Sequence, residues 1–513
     1  MAEQLLTTTI QAPGFMGLNL QDSSVSLENG YATVANNCVI DKFGRIGARK
    51  GWLPSHSALA ALTGYTVKAI GELIDNAGNS YIVAAGNNKL FKLVGSTLSE
   101  LTYGGIGTAP SITNDNWQLA PLNGCLYLYQ AGHDPLVFDP AVSTTAYKRI
   151  SEKTGYLGTV SNNNCVISAY GRTWSANNAT SKSIIQFSDL LAGNVFTTGT
   201  SGTLDVAKVW PAGADEVIAL AAHNNFLVIF GRRQILLYSN PTDPSNIALY
   251  DTITGTGCLA RDSVIRTGGD IVFLSDTGVR SLMRTVQEKS APMREISLNV
   301  KDGLINEIAV ETVENIKAVY SDKEAFYLLS LPASNVVYCF DMRIQLPNGA
   351  ARTTKWTNIT PTAMFYTRNK DLLLGKTSYV GKYTGNLDNT ANYRLQYYTN
   401  YFDFGSPTAL KILKKISMIL IGGVNANIAV KYGFDFSTSY SSRNLILGDV
   451  VIAEYGISKY NIGKYTAGVV FDNKKIQASG SGNILQIGIE TEINGFELSL
   501  QKLDCYVKAG RTR

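Results

Sequence analysis

The chain has 513 residues, with 45 Lys+Arg against 40 Asp+Glu for a formal net charge of +5, and with 45% apolar and 17% charged residues. That length exceeds a single hydrophobic core, so at least two domains are expected, and the balance excludes both a disordered chain and a dedicated nucleic-acid binder. No apolar run reaches membrane-spanning length and the opening MAEQLLTTTIQAPGF lacks the basic and apolar regions of a secretory leader, so the expectation is a protein that stays where it is made.

Near the start, Ser26 to Trp52 has a pattern of its own. Leu27, Tyr31, Val34 and Ala35 fall at i, i+4, i+7 and i+8, which predicts a short helix, and Cys38 to Ile40 then pairs across DKFG with Arg45 to Arg49 as a hairpin. Seven segments of one type follow. The clearest, Trp117 to Asp139, alternates apolar residues in CLYLY between an Asn123-Gly124 turn and a second turn at Gly132 to Pro135, the pattern of an antiparallel meander. Measured between the central strands at Tyr81, Leu126, Trp174, Leu227, Val272, Phe326 and Leu372, the repeat steps run from 45 to 54 residues, enough for one four-stranded sheet each. Repeats of this length without helical periodicity predict an all-β chain built on a β-propeller of about seven blades over residues 61–390. The alternative is a large β-sandwich with evenly spaced hairpins. Familiar propeller signatures are missing: there is no Trp-Asp dipeptide, and GRTW around Trp174 has Ala169 where an aspartate box would carry its aspartate.

From about Tyr393 the strands lengthen. RLQYYTNYFDF, ILKKISMILIG, NIAVKYGFDF, and ILQIGIETEI paired as a hairpin through Asn494-Gly495 with FELSLQKLDCYVK predict a β-sandwich-like platform domain over 391–513 to which residues 1–60 also contribute. In its last strand Phe496, Leu498 and Leu500 hold one face. Leu503, Cys505 and Val507 resume it out of phase, which predicts a bulge at Gln501 or Lys502. Ser437 to Tyr465 reads as a long protruding loop.

Chemistry is sparse. His56, His133 and His223 lie in turn-like settings without a second ligand, and Gly375-Lys376-Thr377 lacks the glycine cradle of a phosphate loop, Lys370 standing where it should begin. No metal, cofactor or catalytic set is expected. Cys38, Cys125, Cys165, Cys258, Cys339 and Cys505 are scattered through apolar strands and read as buried free thiols of a reducing compartment. Asp205, Asp215 and Glu216 could serve as a glycosidase pair, and Tyr127, Tyr129 and Trp174 as a glycan platform. Basic residues cluster at Lys42, Arg45, Arg49 and Lys50, at Lys411, Lys414 and Lys415, and at Lys502, Lys508, Arg511 and Arg513. Such runs are most often solvated faces.

Asn37-Cys38 followed by Asp41, Gly44 and Arg49-Lys50-Gly51-Trp52 resembles the N-C/A-x-x-D-x-x-G-x-x-x-x-R-x-G opening of tail proteins in short-tailed bacteriophages, and the ending NGFELSLQKLDCYVKAGRTR is similar to theirs. With blades between, the chain resembles the tail nozzle (tail tubular or hub) protein of podophages. That resemblance implies a structural virion protein in the tail, made in the host cytoplasm. It further implies a hexameric ring docked on the portal-adaptor ring, one that carries or borders tailspikes or fibres and encloses a channel for ejected double-stranded DNA. A conduit must release its cargo, so Arg45, Arg49, Lys411, Lys414, Lys415, Arg511 and Arg513 are expected at subunit or adaptor contacts rather than on the duplex. The competing readings are a carbohydrate-binding propeller and a glycoside hydrolase.

Overall fold

The computed structural model describes residues 5–112, 116–287, 295–423, 425–447 and 471–510. Its dominant unit is a β-propeller. Seven antiparallel blades follow one another along the chain, and each of the seven residues that mark the repeat lies on the second strand of its blade. The local cause is turn chemistry as well as alternation. Asn123 and Gly124 take φ of 45° and 73°, the left-handed pair a two-residue hairpin needs, and close Trp117–Leu122 onto Cys125–Gln130 with Leu122 opposite Cys125.

The blades differ in how they are completed. Blades 1 and 2 join into one eight-stranded sheet through parallel pairing of Thr102–Tyr103 with Ala146–Tyr147. Blade 5 has three strands, Ile265–Arg266, Ile271–Ser275 and Gly278–Ser281, followed by the helix Leu282–Gln287. Blade 7 has Met364–Tyr366, Leu372–Lys376 and Tyr379–Tyr383, and its outer strand is Trp52–Pro54 from the far end of the chain. The N-terminal segment is therefore divided: residues before Gly51 join the platform, and Trp52–Pro54 closes the propeller ring. Closing a ring with distant segments pairs the last blade's edge and ties the repeat's ends together.

The platform is two packed sheets. The first runs Phe471–Gly482, Lys411–Gly422, Leu498–Ala509, Ile46–Ala48, Cys38–Ile40, with Leu6–Gln11 also on Leu498–Ala509. In the second, Tyr31–Asn36, Tyr393–Thr399, Leu485–Ile493, Asn427–Phe434 and Ser441–Ile446 continue the sheet of blade 6 through a parallel bridge from Asn36 to Lys355. Ile416, Met418, Leu420, Leu503, Cys505 and Val507 of the first sheet pack on Leu395, Tyr397, Ile428, Val430, Ile487 and Ile489 of the second.

Three sequence expectations are corrected. The predicted helix around Tyr31 is the strand Tyr31–Asn36, flanked on both sides by other strands. Its register shifts between Ala32 and Val34, and this bulge breaks the alternation into spacings that imitate a helical face. Leu485–Ile493 and Leu498–Ala509 do not form a hairpin across Asn494-Gly495. Both edges of each are occupied by other strands, so the turn carries the chain from one sheet to the other. Within Ser437 to Tyr465, Ser441–Ile446 is an edge strand rather than loop, and residues 448–465 lie outside the described residues. The bulge in the last strand is present. Ile419 pairs with Lys502 and Leu420 with Leu500, leaving Gln501 as the extra residue.

Candidate interaction surfaces

At the propeller axis, inner-strand backbones converge and their polar groups need partners. Arg261, in the turn leading into blade 5, donates from Nη2 to Trp117 O at 2.7 Å and from Nη1 to Asn164 Oδ1 at 2.9 Å, reaching blades 2 and 3 across the axis. Its neighbour Asp262 accepts from Arg261 Nε at 2.8 Å and from Gln118 Nε2 at 3.3 Å, and pairs with Lys317 of blade 6. Burial alone would raise the Asp262 carboxyl, but Arg261 and Lys317 outweigh it and hold it well below the usual carboxylate range. Four blades are thus tied together by an ionic and hydrogen-bonded network whose members lie up to 200 positions apart, between Trp117 and Lys317. Sequence reasoning missed this network because no local spacing links its members.

The second feature is the joint between platform and propeller, made by the motif residues near the N-terminus. Asn37 takes φ of 55° at the end of its strand, and its amide donates to Thr357 Oγ1 at 2.9 Å and Arg394 O at 2.8 Å. Its Oδ1 accepts from Arg49 Nε at 2.9 Å. Arg49 is 0% exposed and grips Asp388 with both terminal nitrogens, at 2.8 and 2.7 Å, while its guanidinium lies 4.0 Å from the centre of the Tyr393 ring. Trp356 of blade 6 donates its indole N–H to Cys38 O at 3.0 Å and stacks on Tyr383 of blade 7. Beside them Lys376, 5.1 Å from the Trp52 ring, is pushed down to about 8 by burial.

The candidate contact residues are distributed unequally over this frame. Arg49 is an internal brace and is corrected from contact residue to joint. Lys411 is likewise corrected: it is 1% exposed, because the register of its strand turns it inward, and its ammonium donates to Asn483 O at 2.6 Å and to Ser406 O. Arg45 stays at the tip of its hairpin, paired with Asp41 at 2.6 Å and 4.4 Å from the ring centre of exposed Phe43. Lys414 is exposed at a bulge, and Lys415 lies 4.3 Å over the Tyr506 ring on the outer face of the first platform sheet. Cross-strand register puts Lys475, Lys502 and Lys508 on that same face, with Asp504 bound to Thr9 and Lys502 among them. Arg511 and Arg513 lie outside the described residues. Residues 52–388 carry 27 basic and 27 acidic side chains and the remainder 18 and 13, so the chain's whole net charge belongs to the platform.

The outer face of the second platform sheet centres on Glu490. Burial would raise this carboxyl, but Lys431 at 2.7 Å, Tyr398 at 2.6 Å, Arg394 and Gln396 bring it down to about 2. The residues considered for glycan chemistry are not so placed. Tyr127, Tyr129 and Trp174 are buried between blades, and Asp215 accepts the backbone N–H groups of Glu216, Arg232 and Arg233 as a loop brace. Asp205 accepts the N–H of Ala207, and Glu216 faces Lys182 at 3.5 Å. His56 is buried with its Nε2 accepting Val380 N–H. All six cysteines are free and buried.

No protein-family model and no curated protein matches the chain. Among solved structures it is similar to the WD40 β-propeller domain of Doa1, at 11% identity and a TM-score of 0.38 over 65% of this chain and 96% of that one. It is also similar to the Neurospora crassa Pan2 WD40 domain, at 8% identity and 0.39 over 65% and 96%, and to YCF48 from Cyanidioschyzon merolae, at 10% and 0.36 over 66% and 99%. These are likenesses of fold alone.

Proposed function

We propose that this chain is a structural, ring-forming component of a short-tailed bacteriophage tail, the nozzle through which DNA leaves the particle. One observation carries the reading. The residues that bear the resemblance, Asn37, Arg49, Gly51 and Trp52, converge on the joint between platform and propeller, each with a buried or backbone-bonded role there. A subunit that builds a ring with one domain and holds the other to its side needs such a joint, since interfaces between domains otherwise permit relative motion.

In this reading six copies form the ring on the portal-adaptor complex, spikes or fibres attach at its margin, and double-stranded DNA passes without being read. A closed ring is built from heterologous contacts, one patch meeting a different patch on the next copy. The basic outer face of the first platform sheet and the Phe43–Arg45 hairpin tip are the candidates for subunit and adaptor contacts. Light scattering on the purified protein, alone and with a portal-adaptor complex, tests the reading. Six copies of the 55.5 kDa chain give a mass of about 330 kDa, as a closed cyclic ring requires. A mass of 55.5 kDa under both conditions rejects it.

A further inference from the structure

Four Asn-Gly pairs occur in the chain: Asn29-Gly30, Asn123-Gly124, Asn348-Gly349 and Asn494-Gly495. Such a pair is prone to react with itself, because a glycine nitrogen, with no side chain beside it, can approach the preceding asparagine's side-chain carbonyl closely. The fold holds three of the four against that approach. Asn123 donates its amide to Leu191 O at 3.1 Å from within a paired hairpin. Asn348 donates to Asn299 Oδ1 at 2.7 Å and accepts from the Ala350 N–H at 3.1 Å, while the Gly349 N–H is bound to Leu346 O at 2.8 Å. Gly30 is buried, and a Cβ there would lie 2.1 Å from Gly14 O, so its backbone has no room to swing.

Asn494-Gly495 is under none of these restraints. Both residues are exposed, and a Cβ at Gly495 would meet nothing within 4 Å. Among the described residues, no hydrogen bond holds the Asn494 side chain or the Gly495 N–H, although most backbone donors of a folded chain are engaged. The pair opens the link that carries the chain from Leu485–Ile493 in one platform sheet to Leu498–Ala509 in the other. That link is pinned on both sides of the pair. Ile493 is fully buried, Phe496 packs on the platform core, and Glu497 O accepts the Gly423 N–H at 2.6 Å.

We propose that Asn494 is a site of spontaneous modification, deamidation to aspartate and isoaspartate. The Gly495 nitrogen attacks Asn494 Cγ; the N–Cγ bond forms, the Cγ–Nδ2 bond breaks, and the side-chain nitrogen leaves as ammonia with the Gly495 amide proton. Water then opens the cyclic imide at either carbonyl, with no change of oxidation state. Opening at the main-chain carbonyl leaves isoaspartate, which routes the backbone through the former side chain and lengthens the link by a carbon. Either product adds a negative charge between Glu492 and Glu497 of the sequence. Modification thus acts on the crossing between the two platform sheets. The reaction needs no second copy of the chain, so the site is independent of the ring reading.

The test is peptide mass spectrometry of the folded protein held at mildly alkaline pH in heavy-oxygen water, from which each deamidation takes up a labelled oxygen. Asn494 should acquire label at least about tenfold faster than Asn29, Asn123 and Asn348, which must first break hydrogen bonds or packing before they can react. In urea that unfolds the chain the four pairs become equivalent, and their rates should converge. Labelling of Asn494 no faster than the other three in the folded protein overturns the proposal. So does a preference for Asn494 that persists undiminished in urea, which would trace to the local sequence and not to the fold. Neither comparison needs a variant to fold.

Discussion

Arg49 meets Asp388, Asn37, Thr357, Lys50 and Tyr393 at once, and these belong to the platform, blade 6 and the connection out of blade 7. Removing one partner of a buried pair leaves the other uncompensated, so Arg49→Ala should cost about 3–5 kcal/mol. Arg49→Lys keeps the charge but loses the bidentate fork and should fall between. Calorimetry of Arg49→Ala should show platform and propeller melting in separate steps; a single transition at the unaltered temperature would remove the joint from Arg49. Glu490 makes a different prediction. Its folded value of about 2 lies below the ordinary 4.5, so its stabilisation is complete above pH 4.5 and is lost as pH falls from there towards 2. The stability difference between the unaltered protein and Glu490→Gln should be about 1–3 kcal/mol at pH 7 and shrink across that window. A difference that stays constant down to pH 2 would show that the carboxylate's charge plays no part.

Among the elements, the closing strand Trp52–Pro54 matters beyond its length. Gly51 enters it with no room for a side chain: a Cβ there would lie 1.9 Å from Leu387 O, while Gly51 and Trp52 donate their N–H groups to Gly385 O and Leu387 O. Gly51→Ala must therefore push a hydrogen-bonded backbone aside. The expected result is faster amide hydrogen exchange confined to residues 52–54 and 379–383, with the other blades unchanged, because each blade contacts only its neighbours. Uniform acceleration around the whole propeller would mean that ring closure is cooperative and that the strand cannot open alone.

For the molecule as a whole, the division of charge is the main clue: a neutral propeller beside a platform that carries the entire +5. Reversing Lys414, Lys415 and Lys475 to Glu alters the platform's outer face and spares Lys411, whose buried ammonium holds two backbone carbonyls. The variant should fold with an unchanged melting temperature yet assemble poorly onto the portal-adaptor complex. Particles that assemble normally but eject DNA at altered, salt-dependent rates would instead place these lysines on the channel, since phosphate contacts carry a steep salt dependence.

What the sequence by itself determined is whatever depends on neighbours along the chain. Alternation and Asn123-Gly124 fix a blade's hairpin, the repeat spacing fixes the succession of blades, and the phase slip after Leu500 narrows the bulge to Gln501 or Lys502, of which the strand register selects Gln501. Each follows from side-chain period and turn geometry within a few residues. Only the tertiary structure decided which edges pair. Leu485–Ile493 and Leu498–Ala509 belong to different sheets despite the turn between them, Tyr31–Asn36 is a strand because strands flank it, and Trp52–Pro54 completes a blade that begins at Met364. It likewise turned Arg49 and Lys411 inward while leaving Lys414 outside. A lysine or arginine in a strand reads alike whichever way it faces, and its burial is settled by partners such as Asp388 and Asn483 O, 339 and 72 positions away. Pairing and burial are long-range choices among strands of similar composition, so the physical information that selects them lies in packing and charge compensation rather than in any local window.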